Sequence, residues 1–202
     1  IELSAGTLFA VDWSSGAVFT AYISDDQGET WEPRGRLGAL PPTLDVDGAE
    51  YAIEYSEPHF VQLPGGRIVT YIRAHSTGPS RSLVGTSHLW VAYSDDSGKT
   101  WSEPVQTSVA GYPPHALLLE DGRVLLTYGY RWRPFGQRAR VSDDGVRFER
   151  YPEIVVRGDA PDGDLGYPSS VQLDSNRILT VYYQKRRLGE KPVLMGTIWR
   201  LE

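Results

Sequence analysis

Acidic, basic and tyrosine side chains near apolar runs are the groups in this sequence that can do chemistry. Glu57 and Arg73 flank one such run, Arg138 lies beside another, and Tyr167 stands in a Gly-Tyr-Pro-Ser-Ser segment. A carboxylate can accept a proton, a guanidinium binds an oxyanion through paired hydrogen bonds, and an activated tyrosine is a nucleophile. Each group also has a structural explanation, as a turn carboxylate, a surface charge or a core aromatic.

Several other kinds of site lack the residues that they need. The chain has no cysteine, which excludes disulfides, thiolate metal sites and a cysteine nucleophile, and its four histidines lack metal-ligand spacing. The net charge of −6 argues against a nucleic-acid surface. No apolar run approaches the roughly 18 residues of a membrane span. We therefore expect no metal, no cofactor, no nucleic-acid partner and no membrane span.

An Asp-rich turn recurs along the chain. The octet Ser-Asp-Asp-x-Gly-x-Thr-Trp occupies 24–31 and 94–101, and a shorter copy that ends in Phe occupies 142–148. Asp and Ser side chains bond nearby backbone amides, and Gly tolerates positive φ, so each copy predicts a hairpin turn. We expect a structural role for these acids, with the Trp packed between strands.

A second turn interleaves with the first, at 63–68, 119–124 and 173–178, always between apolar runs. One repeat of about fifty residues then holds four strands, the pattern of a β-propeller blade. We predict an all-β fold with approximate blades at 1–40, 55–107, 113–155 and 167–202, and an inter-blade loop at 41–54. Because a propeller closes its sheet edges, about four blades predict one partial propeller domain, residues 1–202, that lacks its N-terminal blades.

The octets resemble the Asp box, S-x-D-x-G-x-T-W, of the sialidase superfamily of six-bladed propellers with four-stranded antiparallel blades. Segment 56–63 with 71–73 resembles the stretch carrying a catalytic Glu and, sixteen residues on, a substrate-binding Arg, here Glu57 and Arg73. Segment 136–141 resembles the one carrying a carboxylate-binding Arg, here Arg138. Segment 166–173 resembles the one carrying the tyrosine nucleophile, here Tyr167. The resemblance covers nearly the whole chain, which would correspond to the C-terminal two-thirds of a family member.

The resemblance implies an exo-glycosidase that releases a terminal sialic acid or related acidic sugar from glycoconjugates with retention. Tyr167 would be the nucleophile and Glu57 its base, since a neutral tyrosine avoids repulsion by the sugar carboxylate. The family's R-I-P arginine and its acid/base Asp have no match here and are expected before Ile1. A secreted or periplasmic bacterial location is favoured, and a cytoplasmic one stays open.

Alternatives remain at this point. Rival arginines for the ligand-binding roles of Arg73 and Arg138 are Arg131, Arg133 and Arg140. The acidic loop at 159–164 lines a pocket, holds a cation or is simply solvated. A non-catalytic propeller that binds glycans or proteins and keeps relic pocket residues is the rival function, favoured by His59 and the Pro-rich segment 111–114, which depart from the family pattern.

Overall fold

Four antiparallel sheets follow one another along residues 1–12, 18–77 and 84–201, the part of the chain that the computed structural model describes. Residues 13–17 of the first predicted blade, 78–83 of the second and the last residue lie outside it. The first sheet has the order β1-β2-β3, with β1 Leu8–Asp12, β2 Thr20–Ser24 and β3 Glu32–Arg36. The fourth has the order β13-β14-β15, with β13 Leu165–Gln172, β14 Arg177–Gln184 and β15 Val193–Arg200.

The two middle sheets are wider. The second has the order β4-β5-β6-β7-β8, with β4 Thr43–Val46, β5 Ala49–Gln62, β6 Ile68–Ser76, β7 His88–Ser94 and β8 Val105–Ala110. The third runs β9 to β12 in order, with β9 Pro114–Leu118, β10 Val124–Tyr130, β11 Gly136–Ser142 and β12 Ile154–Arg157. A 3₁₀ helix occupies Val84–Thr86, and no helix in the described ranges has the length and apolarity to cross a membrane.

The hydrophobic cores lie between neighbouring sheets. Tyr71 of β6 and Tyr128 of β10 are fully buried in one cluster between the second and third sheets, and Leu125 packs with Ile178 between the third and fourth. Strands β6 and β10 are buried almost throughout because a sheet covers each of their faces. Sheets stacked face to face in this way have the architecture of propeller blades.

The Asp boxes form the hydrogen-bonded turns that the sequence predicts. Asp26 accepts bonds from the Thr30 amide at 2.9 Å and from the Ser24 hydroxyl at 2.7 Å, and the same contacts recur in the second copy. Hydrogen bonds from Thr30 lower the pKa of Asp26 to about 2. Trp101 packs against Phe9 of the preceding sheet, with ring centroids 6.2 Å apart. The structural role expected for the boxes is therefore confirmed by their contacts.

Gln62 of β5 and Gln172 of β13 occupy the same position in their strands, and each bonds a turn of the preceding sheet. The Ser4 amide donates to Gln62 at 2.6 Å, and the Glu120 amide donates to Gln172 at 2.9 Å. The corresponding turn of the second sheet has Pro64, which has no amide proton, at the position of Glu120, and β9 has Leu118 where β5 has Gln62. The side chain thus matches the presence or absence of a donor on the neighbouring sheet.

The prediction of an inter-blade loop at 41–54 is wrong. Strand β4 and the first residues of β5 form a hairpin there, joined by Asp47 and Gly48, whose φ angles are 55° and 81°. An Asp-Gly pair with positive φ at both residues makes the two-residue turn that best fits the twist of a hairpin. Because the segment has mixed polarity, its sequence does not indicate β4 and the first residues of β5, which extend the second sheet at its edge.

Candidate active site

Two equivalent bulges position the predicted acid and the predicted tyrosine. Glu57 lies where the pairing of β5 with β6 gains a residue, and Tyr167 lies at the same irregularity between β13 and β14. Their φ values are 49° and 50°, a left-handed conformation that costs a non-glycine residue about 1–3 kcal/mol. Both residues precede a proline. The fold thus holds the two predicted site residues in unfavourable backbone conformations at matching positions of two sheets.

The bulges bring three of the four predicted site residues into contact. The Tyr167 hydroxyl donates a hydrogen bond to Oε1 of Glu57, and Nη1 of Arg73 lies 2.7 Å from Oε2 of the same carboxylate. The Arg73 side chain is 8% exposed and that of Glu57 is 23% exposed, whereas Tyr167 is 51% exposed. A buried cation therefore orients an accessible carboxylate, which in turn orients an accessible hydroxyl.

Electrostatics keep the Tyr167 hydroxyl protonated at rest. Burial raises the pKa of Tyr167 first, and its hydrogen bond to Glu57 raises the pKa further. The positive charges of Arg73 and Arg131 act in the opposite direction and lower it. The hydroxyl is thus a neutral donor that has a proton acceptor already in place and two cations nearby to stabilise developing negative charge.

Arg138 does not join this cluster. Its guanidinium is buried and donates to the carbonyl oxygens of Pro134 at 2.7 Å and of Arg157 at 3.0 Å, and it lies 3.6 Å from the Glu153 carboxylate. These bonds hold the β10–β11 connection and the end of β12. These bonds to backbone carbonyls and the nearby Glu153 carboxylate are the contacts of a structural arginine.

Arg131, at the end of β10, is the arginine that reaches the cluster. Its guanidinium lies 5.2 Å from the ring centre of Tyr112, and that of Arg73 lies 4.4 Å from the same ring. Its Nη2 donates to the Tyr183 hydroxyl at 3.3 Å, and the Tyr183 ring lies 5.9 Å from that of Tyr167. Nε of Arg131 and Nε of Arg73 are both buried without a hydrogen-bond partner. Two guanidiniums with unused donors therefore lie close to Tyr112 and Tyr167.

An open cleft of about 270 Å³ runs along the inner strands beside this cluster. Its walls come from the second, third and fourth sheets and include Glu57, Tyr167 and four prolines, Pro58, Pro113, Pro114 and Pro168. His59 and His115 complete the lining. In the described part of the chain no group of three or more His, Asp or Glu residues is arranged to hold a metal ion. The cleft has the mostly apolar wall and few polar groups typical of a small-molecule site.

Comparison with known proteins gives a family repeat and a set of structural relatives. The BNR/Asp-box repeat matches residues 22–33 and 92–103. A protein of unknown function from Dyadobacter fermentans is 32% identical with a TM-score of 0.82, over 100% of this chain and 52% of that one. An alpha-L-arabinanase from Penicillium chrysogenum is 18% identical with a TM-score of 0.66, over 100% of this chain and 65% of that one.

A Hadza microbial sialidase, Hz136, is 18% identical with a TM-score of 0.63, over 96% of this chain and 42% of that one. The chain thus spans 52%, 65% and 42% of the length of these three proteins. The predicted fold class is confirmed: the chain is all-β, carries BNR/Asp-box repeats, and its four antiparallel sheets are consistent with part of a β-propeller. It is structurally similar to propeller glycosidases, among which the sialidase is one of several.

Proposed function

We propose that this chain supplies the nucleophile, its base and two arginines to a retaining exo-glycosidase of sialidase type. The substrate would be a glycoconjugate that ends in sialic acid or a related acidic sugar. The observation that carries the proposal is the contact of the Tyr167 hydroxyl with the Glu57 carboxylate, which Arg73 holds from the other side. A tyrosine paired with a base is the arrangement that a carboxylate-bearing anomeric centre requires.

In the first step the Tyr167 oxygen attacks the anomeric carbon, its proton passes to Glu57, and the glycosidic C–O bond breaks. The leaving oxygen takes a proton from a general acid, which this proposal places in N-terminal blades outside the sequence. Water then attacks the anomeric carbon of the glycosyl-tyrosine and gives its proton to the conjugate base of that general acid. The bond from carbon to the tyrosine oxygen breaks, and Glu57 returns its proton to that oxygen. Two inversions at one carbon give net retention.

The two arginines favour an anionic sugar. Arg73 pairs with Glu57, Arg131 donates to the Tyr183 hydroxyl next to Tyr167, and each guanidinium keeps an unused buried Nε–H. A guanidinium binds a carboxylate through charge-assisted bonds that are about twice as strong as neutral ones. A sugar carboxylate would gain such bonds from the two guanidiniums, whereas a neutral pentose would not.

We further propose that residues 1–202 are four consecutive blades of one larger propeller. The outermost sheets leave apolar side chains exposed, including Trp31 at 42% and Ile198 at 61%. Additional blades would cover these faces and add the third arginine and the acid of the proposed site. The isolated chain is therefore expected to be inactive, and activity and sugar binding are to be measured on the intact protein.

Covalent trapping tests the proposed function. The intact protein is incubated with a 3-fluoro sialosyl fluoride, in which fluorine slows hydrolysis of the glycosyl-enzyme more than its formation. Peptide mass spectrometry should then find one added sugar, located on Tyr167. A label on another residue contradicts the assigned nucleophile. No label, no release from a 4-methylumbelliferyl sialoside and retained sugar binding would establish the glycan-binding alternative instead.

Two arginine variants separate the candidates for carboxylate recognition. Arg131→Gln should weaken binding of an acidic sugar by about 10- to 100-fold, the effect of losing charge-assisted hydrogen bonds, with little loss of stability. Arg138→Gln should lower the free energy of unfolding by about 2–4 kcal/mol, because it strips donors from buried carbonyls. Calorimetric titration and thermal melting measure both effects. The opposite pattern would restore Arg138 as the ligand-binding arginine.

A further inference from the structure

Strands β5 and β9 each carry a histidine that the proposed mechanism does not use, and the two rings are in contact. The ring centres of His59 and His115 lie 4.5 Å apart, and their planes are inclined at 47°. Both rings line the cleft that contains Glu57 and Tyr167. Two imidazoles at equivalent positions of adjacent sheets, next to a candidate nucleophile, call for an explanation beyond packing.

Each ring uses one nitrogen to join two sheets. The Ala116 amide donates to Nδ1 of His59 at 3.1 Å, and the Ser170 amide donates to Nδ1 of His115 at 3.4 Å. A ring nitrogen that accepts a hydrogen bond carries no proton, so the proton of each neutral ring lies on Nε2. The fold therefore fixes both rings in the same tautomer and leaves each with an Nε2–H donor.

The same arrangement keeps the rings uncharged. Protonation of either Nδ1 would break the bond that joins its sheet to the next one, and two imidazolium ions at this spacing would repel each other. Burial lowers the pKa of both histidines, that of His59 to about 3, where the neighbouring His115 adds to the effect. The pair thus offers two neutral donors in a cleft whose charged donors belong to the arginines.

We propose that His59 and His115 form a two-donor subsite that binds uncharged oxygen atoms, hydroxyl or amide carbonyl, of the sugar whose anomeric carbon lies at Tyr167. The inference rests on the proposed function for the position of that sugar. Arg73 and Arg131 would bind the carboxylate, and the histidines would distinguish among acidic sugars by their remaining substituents. A donor of fixed tautomer is suited to this because a ligand that lacks the matching oxygen leaves it unpaired.

Two substitutions of His115 separate ligand binding from the structural bond. In His115→Asn the side-chain oxygen can replace Nδ1 as acceptor for the Ser170 amide, but the Nε2–H donor is lost. In His115→Gln the side-chain amide reaches the position of Nε2, but the acceptor is lost. For the 2,3-unsaturated analogue of sialic acid we expect affinity in the order wild type, Gln, Asn, with about tenfold between the ends, and stability in the order wild type, Asn, Gln.

Nitrogen-15 NMR of the histidine side chains in the intact protein provides a readout that does not depend on turnover. Both rings should be in the Nε2–H tautomer near neutral pH, and the analogue should shift both Nε2 signals. An Nδ1–H tautomer, unshifted signals, or an Asn variant that binds as well as the Gln variant would overturn the subsite, whether or not sialosides are hydrolysed. Shifted signals without hydrolysis would leave the subsite standing and remove the proposed enzymatic function.

Discussion

Tyr167→Phe is expected to lower kcat of the intact protein by at least about 10³-fold, because it removes the only atom of the side chain that can form the glycosyl intermediate. KM should change little, since the ring and its contact with Tyr183 remain. The fold should be unaffected because the side chain is half exposed and the lost hydrogen bond lies at the cleft surface. Initial rates with a 4-methylumbelliferyl sialoside and a thermal melt measure the two effects.

Two controls make the Tyr167 result specific. Tyr93→Phe removes a hydroxyl from a tyrosine whose ring stacks on Arg67, outside the cleft, and should leave kcat at the wild-type value. Glu57→Gln keeps the shape of the side chain but removes the proton acceptor, and should lower kcat by about 10²- to 10⁴-fold. A Tyr167→Phe protein that retains more than a tenth of the wild-type kcat would exclude a tyrosine nucleophile.

Local sequence predicts the parts of this fold that local hydrogen bonds determine. The Asp boxes close through bonds within a few residues, such as the Thr30 amide to Asp26, so their sequence is sufficient to predict the turns. Glu57 and Tyr167 are predicted from the resemblance of their segments to those of a known family, and the structure shows that the two segments build the same bulge. The equivalence of the two positions is visible in sequence, but their contact across two sheets is not.

The choice among the arginines could not be made from sequence. Arg131 follows the last residue of β10, whereas Arg138 stands at a pairing irregularity of β11 with β12. A bulge re-aims the side chains around it, so alternation along the strand cannot tell which side chain faces the cleft. Arg73 and Arg131 are identified as a pair only by the structure, in which both guanidiniums pack on the Tyr112 ring.

The bonds between sheets are likewise set by partners that are remote in sequence. Gln62 and Gln172 each accept an amide proton from the preceding sheet, whereas His59 accepts one from the following sheet through its ring. Nothing in the residues near Leu118 indicates why leucine stands where β5 and β13 have glutamine. The sequence shows the repeat, whereas these differences between copies acquire their meaning only when adjacent sheets are stacked.

Gly129→Ala is expected to impair the site without touching any group that does chemistry. Gly129 is the β10 residue at which a Cβ would lie 2.9 Å from Cα of Gly166 and 2.9 Å from the carbonyl oxygen of Tyr112. Both neighbours are backbone atoms, so relief requires β10 and β13 to move apart. Gly166 directly precedes Tyr167, so a shift of its Cα moves the backbone that carries this side chain. The displacement therefore reaches the proposed nucleophile.

We expect Gly129→Ala to destabilise the protein by about 1–3 kcal/mol and to lower kcat by about 10²-fold, the effect of misplacing a catalytic group by about an ångström. Gly196→Ala in β15 is the matched control, because its Cβ would meet its nearest atom at 3.6 Å, an ordinary contact. That variant should be neutral or more stable by up to about 1 kcal/mol, with unchanged kcat. If both alanine variants melt and turn over alike, the close approach of β10 to β13 does not control the position of Tyr167, and the bulge alone must hold it.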